Sequence, residues 1–247
     1  MTQAQMDTMD VCAFGAHPDD VELSAGGTIA SMVSKGKRVA LIDLTRGELG
    51  TRGTGEMRDM EAASAAEVLG VHHRENLNLG DGFFEIDQPA LTKVIEVLRR
   101  LRPQIVLANA KSDRHPDHGR ASSLLERACF LSGLLKIETV DQMSGETQEP
   151  WRPQSLHYYI QDRWRTPDFI VDISSFEALK YAAIGAYKTQ FHLGSGKNEP
   201  VTPISSPEFL QHLKSRDAAM GRLGGVQSGE GFESSRPPVV RDLLDLL

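Results

Sequence analysis

The chain has 247 residues, of which 40% are hydrophobic and 25% charged, with a net charge of −7 and two cysteines, Cys12 and Cys129. That length and balance suit one large α/β domain with a real core. The acidic excess argues against a nucleic-acid binder, which needs a basic face, and two cysteines exclude a disulfide framework or a cysteine zinc site. No run approaches the ~18 apolar residues of a membrane span, and no signal-peptide pattern is visible, so a cytoplasmic protein with no membrane contact is expected.

Residues 1–9 read as a disordered leader and 10–247 as a single domain. Val11–Gly15 is a short apolar run ended by a turn, a buried strand. Val21, Ala25, Ile29, Met32 and Val33 have helical spacing, and Gly36 ends that helix. Residues 39–44 form a continuous apolar strand broken only by Asp43. Residues 45–55 are a glycine-rich loop, of the kind that folds over something or moves. Residues 56–69 are alanine-rich and helical, with Gly70 as the stop. A third strand is expected at 75–79, an amphipathic helix at 89–102 ended by Pro103, and a fourth strand at 105–108. A helix follows at 119–134, then a polar surface excursion at 140–153 and strands at 155–160 and 169–173. A helix at 174–187 would take Ser174 or Ser175 as its cap. Residues 195–206 read as a polar loop, 208–221 as a helix, and the tail from Gly224 as irregular.

Strands and helices that alternate in this way, with unbroken apolar strands, predict a doubly wound, mostly parallel sheet with helices on both faces, a Rossmann-like three-layer sandwich. Two motifs then stand out. Ala16-His17-Pro18-Asp19-Asp20 follows the first strand, and Arg114-His115-Pro116-Asp117-His118 follows the fourth. With strand order 3-2-1-4, these strands are neighbours at the point where the winding reverses, outside whose carboxyl ends ligands bind. His17, Asp20 and one histidine of the second motif would hold a divalent metal, three ligands leaving a position open. Asp19 and the other histidine are then left as acid and base beside it. His72, His73, His157, His192 and His212 are scattered and read as surface or satisfied core.

These motifs, with Val21-Glu22 and Gly26-Gly27-Thr28, resemble the LmbE/PIG-L family of zinc-dependent N-acetylglucosamine deacetylases. Residues 43–53, 113–119, 167–173 and 186–191 resemble more narrowly its bacillithiol-biosynthesis branch. The resemblance implies His17, Asp20 and His118 as zinc ligands and Asp19 as general base. It further implies that His115 stabilises the oxyanion, in the leading mechanism as imidazolium, or protonates the leaving amine, and that Asp117 orients His115 by a hydrogen bond. The implied substrate is N-acetylglucosaminyl-malate, an anionic amino-sugar conjugate, and by analogy a homo-oligomer is expected. Both Zn²⁺ and Fe²⁺ suit His₂Asp ligation. Arg58 and Arg114 are the candidate substrate-binding residues, since a guanidinium bonds a carboxylate bidentately. Arg46, Arg52 and Glu48 in the glycine-rich loop are weaker candidates. The alternatives are a deacetylase or amidase for another N-acyl sugar or thiol conjugate, and a zinc-containing carbohydrate-binding protein without turnover.

Overall fold

The computed structural model describes residues 8–142, 144–191 and 200–246. Seven strands, β1 (Val11–Gly15), β2 (Val39–Asp43), β3 (His73–Asn76), β4 (Ile105–Ala108), β5 (Ser155–Tyr159), β6 (Phe169–Asp172) and β7 (Gly229–Ser234), form one sheet in the order β3-β2-β1-β4-β5-β7-β6. The first five strands run parallel, and β7 is antiparallel to both β5 and β6. The helices are α1 (Asp20–Ser34), α2 (Gly55–Leu69), α3 (Gln88–Leu101), α4 (Pro116–Leu131), α5 (Glu177–Ile184) and α6 (Pro207–Gly224).

The period-2 alternation of the strands divides the core in two. Cys12 and Phe14 of β1 and Ala40 and Ile42 of β2 pack against α3 and α4, through Val94, Leu98, Leu124 and Leu125. Val11, Ala13, Val39 and Leu41 face the other way, against Ile29 of α1, Ala65 of α2 and Ala183 of α5. The expected α/β sandwich with helices on both faces is therefore what forms, and β1 lies between β2 and β4 at the reversal of winding. No helix among the described residues is long and apolar enough to cross a membrane.

Several elements depart from expectation. α4 begins at Pro116, three residues earlier than the pattern suggests, because proline is pre-set for the first helical position and His115 supplies the cap. His118 thus stands in the first turn of a helix. β3 is displaced to His73–Asn76, a polar edge strand whose four residues are all half-buried. Neither Ser174 nor Ser175 caps α5. Its N-cap is Phe176, without a side-chain bond, and the Ser174 hydroxyl donates to Asp172 instead. Met9 is buried in the core and its N–H donates to the Leu101 carbonyl at 2.8 Å, so the expected leader is tied down by residue 9. Residues 1–7 of that leader, 195–199 of the polar loop and His192 lie outside the described residues.

The tail from Gly224 contains β7, which its Gly-Glu-Gly-Phe pattern conceals. Its burial depends on tertiary contacts. Gly229 and Gly231 admit Ile170 and Met220, which would stand 2.7 and 2.9 Å from an added Cβ. Glu230, also buried, meets Lys180 Nζ at 2.9 Å, and Lys180 in turn reaches Asp217 at 2.7 Å. The Glu230 carboxylate also accepts the N–H groups of Gly27 and Thr28, at 3.0 and 2.7 Å, in the middle of α1.

Candidate active site

Both motifs reach one pocket of about 370 Å³ at the carboxyl ends of β1 and β4. Its lining includes His17, Asp19, Asp20, Arg58, Arg114, His115 and His118. After β1 the chain turns sharply. The Ala16 N–H donates to Asn109 Oδ1 at 2.9 Å, which joins the two loops. Asp19 then adopts φ 102°, a conformation unusual for a residue with a side chain, and α1 starts at Asp20.

The Asp20 carboxylate is the centre of the arrangement. Oδ1 lies 3.1 Å from His118 Nε2, and Oδ2 lies 3.5 Å from His17 Nδ1. Both imidazoles therefore lie against the Asp20 carboxylate, each at a different oxygen. The same carboxylate accepts from the His17 backbone N–H at 2.9 Å, from Asn109 Nδ2 at 3.0 Å and from Gln161 Nε2 at 3.2 Å. Burial pushes the pKa of Asp20 up, but His118 and His17 together hold it well below the usual carboxylate range.

Each of the two imidazoles turns its other nitrogen to a carboxylate. His118 Nδ1 is 2.5 Å from Asp113 Oδ2, and Asp113 Oδ1 accepts the Arg163 N–H. His17 Nε2 is 3.0 Å from Asp81 Oδ1 and 3.3 Å from Asp117 Oδ2. Carboxylates behind ligating histidines fix the tautomer and raise the basicity of the ligand. Burial opposes charge on both rings, yet the surrounding carboxylates prevail. They raise His118 to about 9 and His17 well above its ordinary value. The ring nitrogens of His17, His115 and His118 also form a compact group, as do the donors of His17, Asp81 and Asp117.

The Asp19 carboxylate turns to Arg58. It is buried, and its pKa is pushed up to about 7, by burial first and by the charges of Asp20 and Glu22, with Arg58 and His17 opposing. Arg58 Nη2 donates to Asp19 Oδ2 at 3.1 Å and to the Pro18 carbonyl, while its buried Nε has no partner among the described residues. The guanidinium expected to clamp a substrate is therefore engaged mainly with Asp19.

The other expected roles are redistributed. Asp117 does hold His115, but through its backbone N–H, which donates to Nδ1 at 3.3 Å. The Asp117 carboxylate is given to His17, to the Gly82 N–H at 2.9 Å and to Arg120 at 2.7 Å. With Nδ1 accepting, the proton of neutral His115 sits on Nε2. Burial, then the charges of His17 and His118, lower the pKa of His115, so the imidazolium expected from the sequence is disfavoured. A neutral ring still has an N–H to offer an oxyanion. Arg114 is half exposed at the rim and paired with Asp162 at 3.1 Å.

The glycine-rich loop is pinned at several points. Leu49, Gly50 and Thr51 line the pocket. Gly47 lies against Arg58, Gln190 Nε2 donates to the Arg52 carbonyl at 2.8 Å, and Arg46 pairs with Asp59. The side chains of Asp81, Asp113, Asn109 and Gln161, and the wall formed by Phe209, His212, Leu213 and Arg216 of α6, were not assigned from the sequence. Asp113 sits beside the second motif and Asp81 in an Asp-Gly turn, which are weak local signals. Gln161 and α6 have none, since only the sheet order brings them here.

The sequence matches a family model described as PIG-L: GlcNAc-PI de-N-acetylase, over residues 12–129. It is 30% identical over 237 residues to a diacetylchitobiose deacetylase of Thermococcus kodakarensis, covering 92% of this chain and 83% of the relative. It is 29% identical to a 4-oxalmesaconate hydratase of Pseudomonas putida, covering 98% and 96%. The crystal structure of a conserved protein from Thermus thermophilus superposes with a TM-score of 0.83 at 35% identity, covering 96% of this chain and 99% of that one.

Proposed function

The chain belongs to the PIG-L family of deacetylases, and on that footing we propose that it removes the N-acetyl group from an N-acetylglucosamine conjugate, with N-acetylglucosaminyl-malate as the substrate to test first. The observation that carries the reading is the buried Asp19 carboxylate, held by Arg58 in the pocket that His17, Asp20 and His118 also line, with its pKa pushed up to about 7 by burial. A site that only bound sugar would have no use for such a base.

His17, Asp20 and His118 would hold the cation, which we take to be Zn²⁺ or Fe²⁺ from the mixed nitrogen and oxygen donors. When bound, it supplies Lewis acidity, polarising the amide carbonyl and making water a better nucleophile. The chain's own groups do the rest. Asp19 takes the proton of the attacking water, and its retention by Arg58 keeps the carboxylate aimed at the pocket. The Nε2–H of His115 donates to the oxygen that gains charge as the carbonyl becomes tetrahedral. The proton held by Asp19 then passes to the departing amine. Arg114 at the rim is the residue placed to meet the malate carboxylates, on exchange from Asp162.

The test is acetate release from N-acetylglucosaminyl-malate, diacetylchitobiose and N-acetylglucosamine by metal-loaded protein. Acetate from the malate conjugate at the highest kcat/KM supports the full reading. Preference for another sugar overturns only the aglycone. The hydratase relative motivates a second assay, since a base beside a cation also suits addition of water to a double bond. Hydration of 4-oxalmesaconate with no acetate from any sugar would overturn the deacetylase reading.

A further inference from the structure

We infer that Asp81 is a positioning residue that ties the loop at the pocket mouth to His17, so that displacement of the loop is transmitted to the imidazole and occupancy of the cation site is transmitted to the loop. The inference relies on the assignment of a cation to His17 and is independent of which substrate the pocket takes.

The carboxylate oxygens of Asp81 divide between two partners. Oδ1 faces His17 Nε2 at 3.0 Å, and Oδ2 accepts the Leu49 N–H at 3.0 Å. Its own N–H donates to Glu48 Oε1 at 2.9 Å, while Glu48 Oε2 accepts the Arg46 N–H at 3.1 Å. A buried side chain thus spends one oxygen on a candidate metal ligand and the other on the loop that lines the pocket. The Leu49 side chain is 61% exposed, presented to whatever enters and not to the core.

Asp117, the other carboxylate on His17 Nε2, has different attachments. It is fully buried in the first turn of α4 and holds Gly82 and Arg120. One carboxylate therefore anchors His17 to a helix and the other to a loop. Of the two, Asp81 is the one hydrogen-bonded directly to the loop, through the Leu49 N–H. Linkage makes the effect reciprocal: if the cation favours one loop position, that loop position favours the cation.

The experiment measures Zn²⁺ affinity by chelator competition in Leu49→Pro, which lacks the N–H that Asp81 accepts, and in Leu49→Ala, which keeps it. Affinity is expected to fall several-fold in L49P and to stay at the wild-type value in L49A. Equal affinities overturn the coupling. Amide hydrogen exchange supplies the reverse direction: Zn²⁺ is expected to slow exchange of the Leu49 N–H in the wild-type protein, and no slowing at saturating Zn²⁺ also overturns it. Asp81→Ala is expected to weaken Zn²⁺ about 10–100-fold, the usual cost of losing a carboxylate behind a ligating histidine, and unchanged affinity would remove Asp81 from the positioning role. Wild-type protein that binds no Zn²⁺ at all overturns the cation assignment as well, which separates the two failures. Failure of the acetate assay alone leaves these results standing.

Discussion

Arg58 Nη2 donates to Asp19 Oδ2 at 3.1 Å, and both side chains are buried at the floor of the pocket. The pair sets the properties of the proposed base. Burial pushes the pKa of Asp19 up to about 7, and the Arg58 charge is the largest influence holding it down.

A base must be ionised to act, so kcat/KM should rise with pH through an ascending limb at or below about pH 7, a bound cation moving it lower still. Arg58→Gln removes the stabilising charge and should shift that limb to higher pH. A limb that stays in place on a full pH–rate profile would show that Asp19 does not control it.

Asp19→Asn should lower kcat/KM by about 10²–10⁴-fold, the usual contribution of an acid–base group. It should also stabilise the metal-free protein at pH 8. The folded-state pKa is raised, so between about pH 4 and 7 the folded protein keeps a proton that the unfolded chain has released. Stability is then lost as pH rises through that window, and an amide has no charge to lose it with. Thermal melts of both proteins at pH 4 and pH 8 measure the effect; an equal Tm difference at the two pH values contradicts it.

Asp113→Ala leaves all three candidate ligands in place but removes the carboxylate 2.5 Å behind His118. Zn²⁺ affinity should fall about 10–100-fold, whereas His118→Ala should abolish stoichiometric binding. Elemental analysis after dialysis, with chelator competition, distinguishes the two. An H118A protein with full metal content would exclude His118 as a ligand.

Gly47 has φ +63°, and a Cβ there would stand 2.5 Å from Arg58 Nη1. Gly47→Ala should destabilise the fold by about 1 kcal/mol from the left-handed backbone alone, a Tm loss of roughly 2–4 °C for a chain of this size. Because Arg58 is held by Asp19 and cannot give way freely, kcat/KM should fall at least tenfold by ~1.4 kcal/mol or more of lost transition-state stabilisation. A kcat/KM equal to wild type would mean that the guanidinium tolerates displacement.

Lys180 is fully buried between Asp217 and Glu230. Lys180→Met removes the ammonium shared by two buried carboxylates and leaves Asp217 only the Arg216 guanidinium at 3.6 Å, and breaking such a cluster costs about 3–5 kcal/mol. Urea denaturation should show the loss. Stability within 1 kcal/mol of wild type, about the worth of a surface pair, would show that water reaches these carboxylates.

The sequence by itself determined the parallel half of the sheet, in the order 3-2-1-4, and the two motifs that meet at its switch point. Alternating apolar strands and helices have few ways to bury their faces, and the two His-Pro-Asp motifs follow the strands that the winding makes neighbours. It also determined that His17 and Asp20 would lie near His115 and His118, since β1 and β4 pair directly. What only the tertiary structure decided is how charge is shared among these groups. Arg58 serves Asp19 and the carboxylate of Asp117 serves His17, while Asp81, Asp113 and Gln161 complete the surroundings from loops with no periodic signal. β7 was hidden for the same reason. Local pattern records which face of an element is apolar, but a glycine-rich strand and a buried glutamate make sense only beside the lysine that folding brings to them.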